Sequence, residues 1–409
     1  MIVCPIVYLY SLNNFSGIYF VFFAVTDCKA KEEISMGSKG ERDSESSCPG
    51  LHPERLLNLM RGAIWRCQLD LSEMVVLTEA ASDAWVVTPV LAAMAGAKQV
   101  FALTQTSRYG TIDEIARWTT DLARAAAVSD RIQIISEKRA DIVVQADIVT
   151  NSGHVRPIDA KMVGWMKPTA VIPLMFEAWE FRSSDVDLTA CNRLGISVAG
   201  TNERHPAVDV FSYLGMMAVK ILEDARIPVH GSRVVVWCDN PFRPFLVKGL
   251  SLAGAVVESA ESLEEIGEAF DADAILVALR PQAQPVVGSP EAAAIAHRYP
   301  TALVVQFWGD FDRTAMAHWG LPFWPLEPPP PGHQGILLSS LGPEPIVRLQ
   351  SGGLKVGQLM AKVRISQIGR PASHKAAIAA AVASGFGQAL PETAIGETQS
   401  RNFQYGEDQ

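Results

Sequence analysis

Thr150-Asn151-Ser152-Gly153-His154-Val155-Arg156-Pro157-Ile158-Asp159 places a histidine, an arginine and an aspartate directly after an apolar run. Near neutral pH a histidine can take or give a proton, and an arginine can grip a carboxylate or phosphate through two parallel N–H groups. His154 and Arg156 therefore suggest proton transfer at an anionic substrate. Further on, Glu177 and Glu180 flank Trp179, and Glu203 and His205 end the run Gly200-Thr201-Asn202-Glu203-Arg204-His205. Carboxylates so placed could orient a histidine. Each of these residues also has a plainer explanation. Asn-Ser-Gly-His is good turn and capping chemistry, and the Glu177–Glu180 stretch also suits a solvated loop face. Glu203, His205 and His154 share no spacing that would fix a metal, and no metal site is expected.

The elements that would position these residues alternate in type. Short apolar runs at Met74–Thr78, Gln99–Leu103, Ile132–Ile135, Asp147–Thr150, Ala170–Leu174 and Ile196–Ala199 read as strands. Helical patterns at 53–67, 88–95, 112–127 and 160–165 lie between them, as a parallel sheet requires. A long helix over 208–225 leads to a second series of strands at 233–236, 255–258, 274–278 and 302–306. In that series helices are expected at 243–253, 263–270 and 290–298. Four prolines at 328–331 can only be extended and suit a stiff connection across a surface or cleft. An alanine-rich run at 373–384 predicts a last helix.

The expectation is an α/β protein with two Rossmann-like, doubly wound parallel-sheet domains and a cleft between them. Residues 53–228 form the first domain and 229–368 the second. Residues 1–52 form an apolar, then disordered, extension, and 369–409 a C-terminal helix and disordered tail. In such sheets ligands sit beyond the carboxyl ends of the strands. That places the segments Glu79–Asp83, Thr104–Arg108, Asn151–Asp159, Glu177–Glu180 and Gly200–His205 on one rim.

Composition narrows the partners. Apolar residues make up 48% and charged residues 19% of the chain, which is the make-up of a folded globular protein. A net charge of −9 without a basic run argues against nucleic acid or a membrane surface as the partner and leaves a small molecule, which the arginines of the rim would make an anionic one. A homodimer is compatible with this composition. The six cysteines form no C-x-x-C pair, which suits reduced thiols and a cytoplasmic protein. The first 27 residues lack a basic start and are broken by Ser11-Leu12-Asn13-Asn14, so they make a poor signal peptide and an interrupted span. Either translation starts at Met36 or the segment is an anchor.

No G-x-G-x-x-G is present. The turn after the first strand, Glu79-Ala80-Ala81-Ser82-Asp83, has small residues that could present N–H groups to an anion. The second strand ends in Thr104-Gln105-Thr106-Ser107-Arg108, without an acidic residue. Ser107 and Arg108 there suit a phosphate better than a ribose diol. The corresponding turn of the second domain is Trp237-Cys238-Asp239-Asn240-Pro241-Phe242-Arg243-Pro244. It offers Asp239 and Asn240 to a cofactor but puts Phe242 where close approach to a pyrophosphate needs glycine.

Several runs carry a resemblance to a known family: Ala146-Asp147-Ile148-Val149-Thr150, Met166-Lys167-Pro168, Asp185-Val186-Asp187-Leu188, Gly195-Ile196-Ser197-Val198, Gly200-Thr201-Asn202, and His230-Gly231-Ser232-Arg233-Val234-Val235-Val236. Together they make residues 146–258 resemble the D-2-hydroxyacid dehydrogenase (formate/glycerate dehydrogenase-like) family, with a fainter similarity to S-adenosylhomocysteine hydrolase. The resemblance implies NAD or NADP as cofactor and a hydroxyacid or sugar-acid substrate. Pro331-Gly332-His333-Gln334-Gly335 looks like the loop of that family's acid/base histidine, which would make His333 that residue. Arg313 and Glu327 are the nearest offers for its arginine and glutamate, though both lie closer to His333 than the family pattern has them. The missing glycine fingerprint implies either a changed nucleotide site or a member without hydride transfer. The expected protein is an NAD(P)-linked oxidoreductase-like enzyme. A non-catalytic two-domain binding protein and a non-redox lyase or hydrolase stay open as alternatives.

Overall fold

The computed structural model describes residues 49–267, 269–366 and 374–391. The expectations for residues 1–48 and for the tail from Glu392 onward lie outside the described residues. Strands β1 (Val75–Glu79), β2 (Gln99–Leu103), β3 (Ile132–Ile135), β4 (Ile148–Val149), β5 (Val171–Pro173) and β6 (Ser197–Thr201) form a parallel sheet in the order β3-β2-β1-β4-β5-β6. The register runs from Val75 opposite Gln99 to Glu79 opposite Leu103, so all these strands end on one rim. The chain winds outward from β1 to β3, then returns to place β4 beside β1. The crevice between the loops leaving β1 and β4 is therefore the switch point of the sheet.

A second parallel sheet has the order β11-β10-β9-β7-β8. Its strands are β7 (Arg233–Trp237), β8 (Val256–Ala260), β9 (Ala274–Ala278), β10 (Leu303–Trp308) and β11 (Phe323–Trp324). Both sheets are covered on both faces. In the first, Met60, Leu91 and Met360 pack on one side and Met162, Leu174 and Leu188 on the other. In the second, Met217, Leu246 and Leu250 face Ile295 and Met316 across the strands. Burial on two faces is why β9 is apolar throughout, Ala-Ile-Leu-Val-Ala. These two sheets make the chain an α/β protein with two Rossmann-like halves.

Three features differ from the sequence expectation. The helix expected over 263–270 is reduced to one turn at Leu263–Glu265. Leu263, Ile266 and Phe270 still reach the core, and the Arg298 guanidinium bonds the carbonyls of Leu263, Ile266 and Gly267, groups a longer helix would have used itself. The helix expected from 208 begins at Ser212. The third difference is a 24-residue helix, Pro343–Ser366, in a region expected to belong to the second domain. It packs on the first sheet instead, against β4, β5, β6 and the helix Pro53–Cys67. After the helix His374–Ala383, strand β12 (Gly387–Gln388) pairs antiparallel with β6. The chain thus returns to its first sheet after completing the second.

Among the described residues no helix is long and apolar enough to cross a membrane. Cys67, Cys191 and Cys238 are buried free thiols.

Candidate active site

The loops leaving β1, β2, β4, β5 and β6 line a cleft of about 530 Å³, closed from the other side by Phe242, Trp308 and the loop around His333. Glu79, the last residue of β1, lies at its floor beside the switch point. Its side chain is buried, and burial pushes the carboxyl up to about 7, with the Arg156 charge and the His154 backbone N–H pulling it partly back. The close approach explains Gly153. A Cβ there would lie 1.7 Å from Glu79 Oε2, and the residue has φ +20°.

The other side chains line the same cleft. His154 is half-buried in the cleft lining, and burial lowers its basicity. Arg156 Nη1 bonds Asp185 Oδ2 at 3.1 Å, which fixes the guanidinium near the rim. Asp185 is buried while Arg156 is partly open, so the pair orients the arginine without removing all its donors. Arg182, in the same loop as Glu180, also lines the cleft. Glu180 and Glu203 both line it and are both raised, first by burial and then by the neighbouring carboxylates. Like charges this close, taken out of water, cannot all ionise, so these carboxyls hold protons that exposed ones would have lost.

His333 comes from the opposite side. Its backbone N–H donates to the Pro330 carbonyl at 2.9 Å, and Nδ1 stands 3.2 Å from the Pro331 carbonyl. A carbonyl can only accept, so the Nδ1 proton points at Pro331 and Nε2 is left as an acceptor. Burial and then the charges of Arg182 and Arg156 lower its basicity, so the ring is neutral near pH 7. The loop is fastened by Gly335, whose N–H bonds the Phe307 carbonyl at 3.0 Å and whose missing side chain makes room for the Gln306 carbonyl. Asp310 accepts from the Gly332 N–H at 3.2 Å and so ties down the residue before His333. It is the carboxylate nearest in kind to an orienting partner for this loop.

Of the residues expected from the sequence, His154, Arg156, Glu180, Glu203, His333 and Ser107 line this one cleft. The others serve the scaffold. Glu177 is buried in a two-bond pair with Arg204, at 3.0 and 3.1 Å, and takes the Trp179 indole N–H. His205 stacks on Phe386 at 3.8 Å and accepts the Ala207 N–H through Nδ1, so it shapes the turn into the next helix. Arg108 is turned to the Tyr109 hydroxyl. Arg313 bonds Gln306 and the carbonyls of Pro325 and Glu327, which leaves neither Arg313 nor Glu327 in the cleft lining. Among the described residues no group of three or more His, Cys, Asp or Glu could hold a metal. Arg182, Asp310 and Gln350 were not singled out by the sequence, and Glu79 and Asn151 were placed on the rim without a role. For Arg182 the signal was its position in the loop of Glu177 and Glu180; Glu79 could have been found as an acid ending an apolar strand.

The turn after β7 does not fit a dinucleotide. Asn240 Oδ1 takes the Phe242 N–H at 3.0 Å, its amide bonds the Ala278 carbonyl, and Asp239 accepts from the Arg280 N–H at 3.0 Å. Asp239 and Asn240 thus close the turn on itself. Phe242 is 2% exposed, between Trp179, Phe211 and Trp308, and Pro244 removes another donor from the start of the helix Arg243–Leu252. The Phe242 and Arg243 N–H groups are both taken by Asn240, and Pro241 and Pro244 have none, so from 241 to 244 no N–H is free for a pyrophosphate.

No protein-family model and no curated protein sequence matches the chain. Among solved structures it is similar in fold to a dipicolinate synthase structure from Bacillus subtilis, with a TM-score of 0.45 at 10% identity over 73% of this chain and 99% of that one. The dipicolinate synthase structure from Bacillus halodurans gives 0.42 at 11% identity, over 74% of this chain and 100% of that one. The NAD-dependent formate dehydrogenase from Staphylococcus aureus in complex with NAD gives 0.38 at 12% identity, over 69% and 93%.

Proposed function

We propose that the protein is an enzyme that holds a small anionic, hydroxyacid-type substrate between Arg156 and Arg182 and moves a proton at it through His333. One observation carries this: His333, with Nε2 free to accept, is kept neutral in part by the two arginines that face it from the first-sheet loops. An anion bound to those guanidiniums would cancel the field that weakens the base. Substrate binding would therefore raise the proton affinity of His333 when a proton has to be taken. Glu79, close to half-ionised near neutral pH and also under the Arg156 charge, would supply or receive the second proton.

A second reading, an oxidoreductase using NAD or NADP, is favoured by the strand order of the first sheet, since its β1/β4 crevice is where doubly wound sheets take such ligands. The closed turn after β7 speaks against the other sheet as its seat. The test is calorimetric titration with a panel of 2-hydroxy and 2-keto acids from pH 5 to 8, beside NAD, NADH, NADP and NADPH. At least one acid should bind with uptake of a proton, and His333→Gln should abolish the uptake without lowering thermal stability. If no acid binds at millimolar concentration, or Arg156→Gln and Arg182→Gln leave binding unchanged, the acid–base reading fails. Micromolar binding of a dinucleotide would favour the oxidoreductase, and binding of an acid with no reaction of any kind would favour a ligand-binding protein.

A further inference from the structure

One part of the cleft holds groups of both signs that the protein does not pair with each other. Glu180 and Arg182 stand two residues apart in the loop leaving β5; both line the cleft, and the Arg182 charge acts on Glu180. Even so, neither makes an ion pair among the described residues. Glu203, from the loop leaving β6, neighbours Glu180 and lines the same cleft. Glu203 is 8% exposed, and Glu180 is partly open. The Glu177 backbone N–H reaches both carboxyls, and no other donor of the described residues does. Glu177 itself is fully used, gripped by Arg204 through two bonds and taking the Trp179 indole N–H. Buried polar groups are normally paired, and a carboxylate beside a guanidinium normally pairs with it. Two acids and a base left over in one cleft are therefore a complement to a ligand. A ligand with an anion alone would use Arg182 and leave both acids unanswered. An ammonium has three donors, and beside it a carboxylate is favoured over a carboxylic acid, so its arrival would draw a proton from the pair.

We infer that the cleft takes a 2-amino acid, with its carboxylate at Arg182 and Arg156 and the ammonium of the adjacent carbon at Glu180 and Glu203. The inference rests on the arginine-held carboxylate of the reading above and replaces the hydroxyl of that substrate by an ammonium. Glu180 and Arg182 are near neighbours in one loop, which suits opposite charges on adjacent carbons of a ligand and not at the ends of a long one.

Calorimetry on the full chain with pairs that differ only at the second carbon isolates the ammonium: lactate against alanine and phenyllactate against phenylalanine, each as the L and the D form. The amino acid of a pair should bind on the order of tenfold more tightly, the worth of a hydrogen bond to a charged group less the cost of drawing off a proton. Measured in two buffers of different ionisation heat, it should also take up as much as about one proton fewer than its hydroxy partner. Glutamine has the shape of a protonated carboxyl, so Glu180→Gln and Glu203→Gln should fold, which thermal melting checks. Each should abolish both the preference and the proton difference. Hydroxy acids that bind as tightly as their amino partners would overturn the inference and leave the acid–base reading standing. A preference for the amino acid that survives both substitutions would overturn it too, because the ammonium would then lie elsewhere. So would silence from every pair while other acids of the wider panel bind; silence from the whole panel would remove the acid–base reading as well.

Discussion

Replacing Glu79 with glutamine should change how stability depends on pH. The carboxyl of Glu79 is raised from 4.5 to about 7, chiefly by burial. Between these values the folded protein keeps a proton that the unfolded chain has lost. The stability this contributes is fully present below about 4.5 and is lost as pH rises through about 7. The interval from 4.5 to about 7, at about 1.36 kcal/mol per pH unit, amounts to about 3 kcal/mol. Glutamine keeps the shape and the neutral state but cannot ionise. Glu79→Gln should therefore match the wild type near pH 5 and exceed its stability by about 3 kcal/mol at pH 9. Urea unfolding of both proteins at pH 5, 7 and 9 gives the comparison. Taking the difference between them removes the titration of Glu180 and Glu203, which both proteins share. A difference that stays within about 1 kcal/mol across the range would show that Glu79 ionises in the folded protein much as it does in water, and the case for it as an acid of the cleft would fall.

The same neighbourhood yields a second test. Gly153→Ala would put a Cβ 1.7 Å from Glu79 Oε2, so the carboxyl must move; a loss of about 1–3 kcal/mol is expected, with a flattened pH dependence of stability. An unchanged pH profile would mean that the floor of the cleft yields without effect on Glu79. Across the cleft, Phe242→Ala empties a well-packed aromatic site and should cost about 3–5 kcal/mol in urea unfolding while leaving any dinucleotide affinity as it was. A gain in dinucleotide binding would show that Phe242 alone closes the turn after β7.

The sheets were legible because parallel strands covered on both faces are written as short apolar runs, and β2, β3 and β9 have the bounds that their sequence suggests. The helix Pro343–Ser366 was not legible for a related reason. It is buried nearly all round, with Gln350, Ser351, Lys355 and Gln358 inside as well as Leu354 and Val356, so no apolar stripe marks it. Gly352, Gly353 and Gly357 look like helix breakers in sequence. In the structure they let the helix lie against Val208, Met175 and Ile148, where a Cβ would come within 3 Å of each neighbour. At the site, His154, Arg156 and His333 stood out by residue type. Arg182 and Asp310 are ordinary loop residues until the second sheet brings His333 to them. Glu177 and His205 misled because a buried carboxylate paired with an exposed arginine and a turn-forming imidazole use the same residue types as catalysis.

The formal charge of −9 conflicts with an anionic ligand only if every carboxylate is counted as ionised. Within the cleft that count fails. Glu180 and Glu203 are raised by burial and by neighbouring carboxylates, and Glu79 is raised to about 7, so much of the acid lining is uncharged near neutral pH. Arg156 and Arg182 both line the cleft, and the Asp185 side chain pairs with the first. With Asp185 paired to Arg156 and Asp83 also in the lining, holding Glu79, Glu180 and Glu203 neutral is what keeps the two guanidiniums from being outnumbered by carboxylates. Raising the pH through 7 ionises Glu79 beside Arg156 and should weaken anion binding before any loss of fold. The same buried acids thus decide both the charge the cleft presents and the pH at which it stops presenting it.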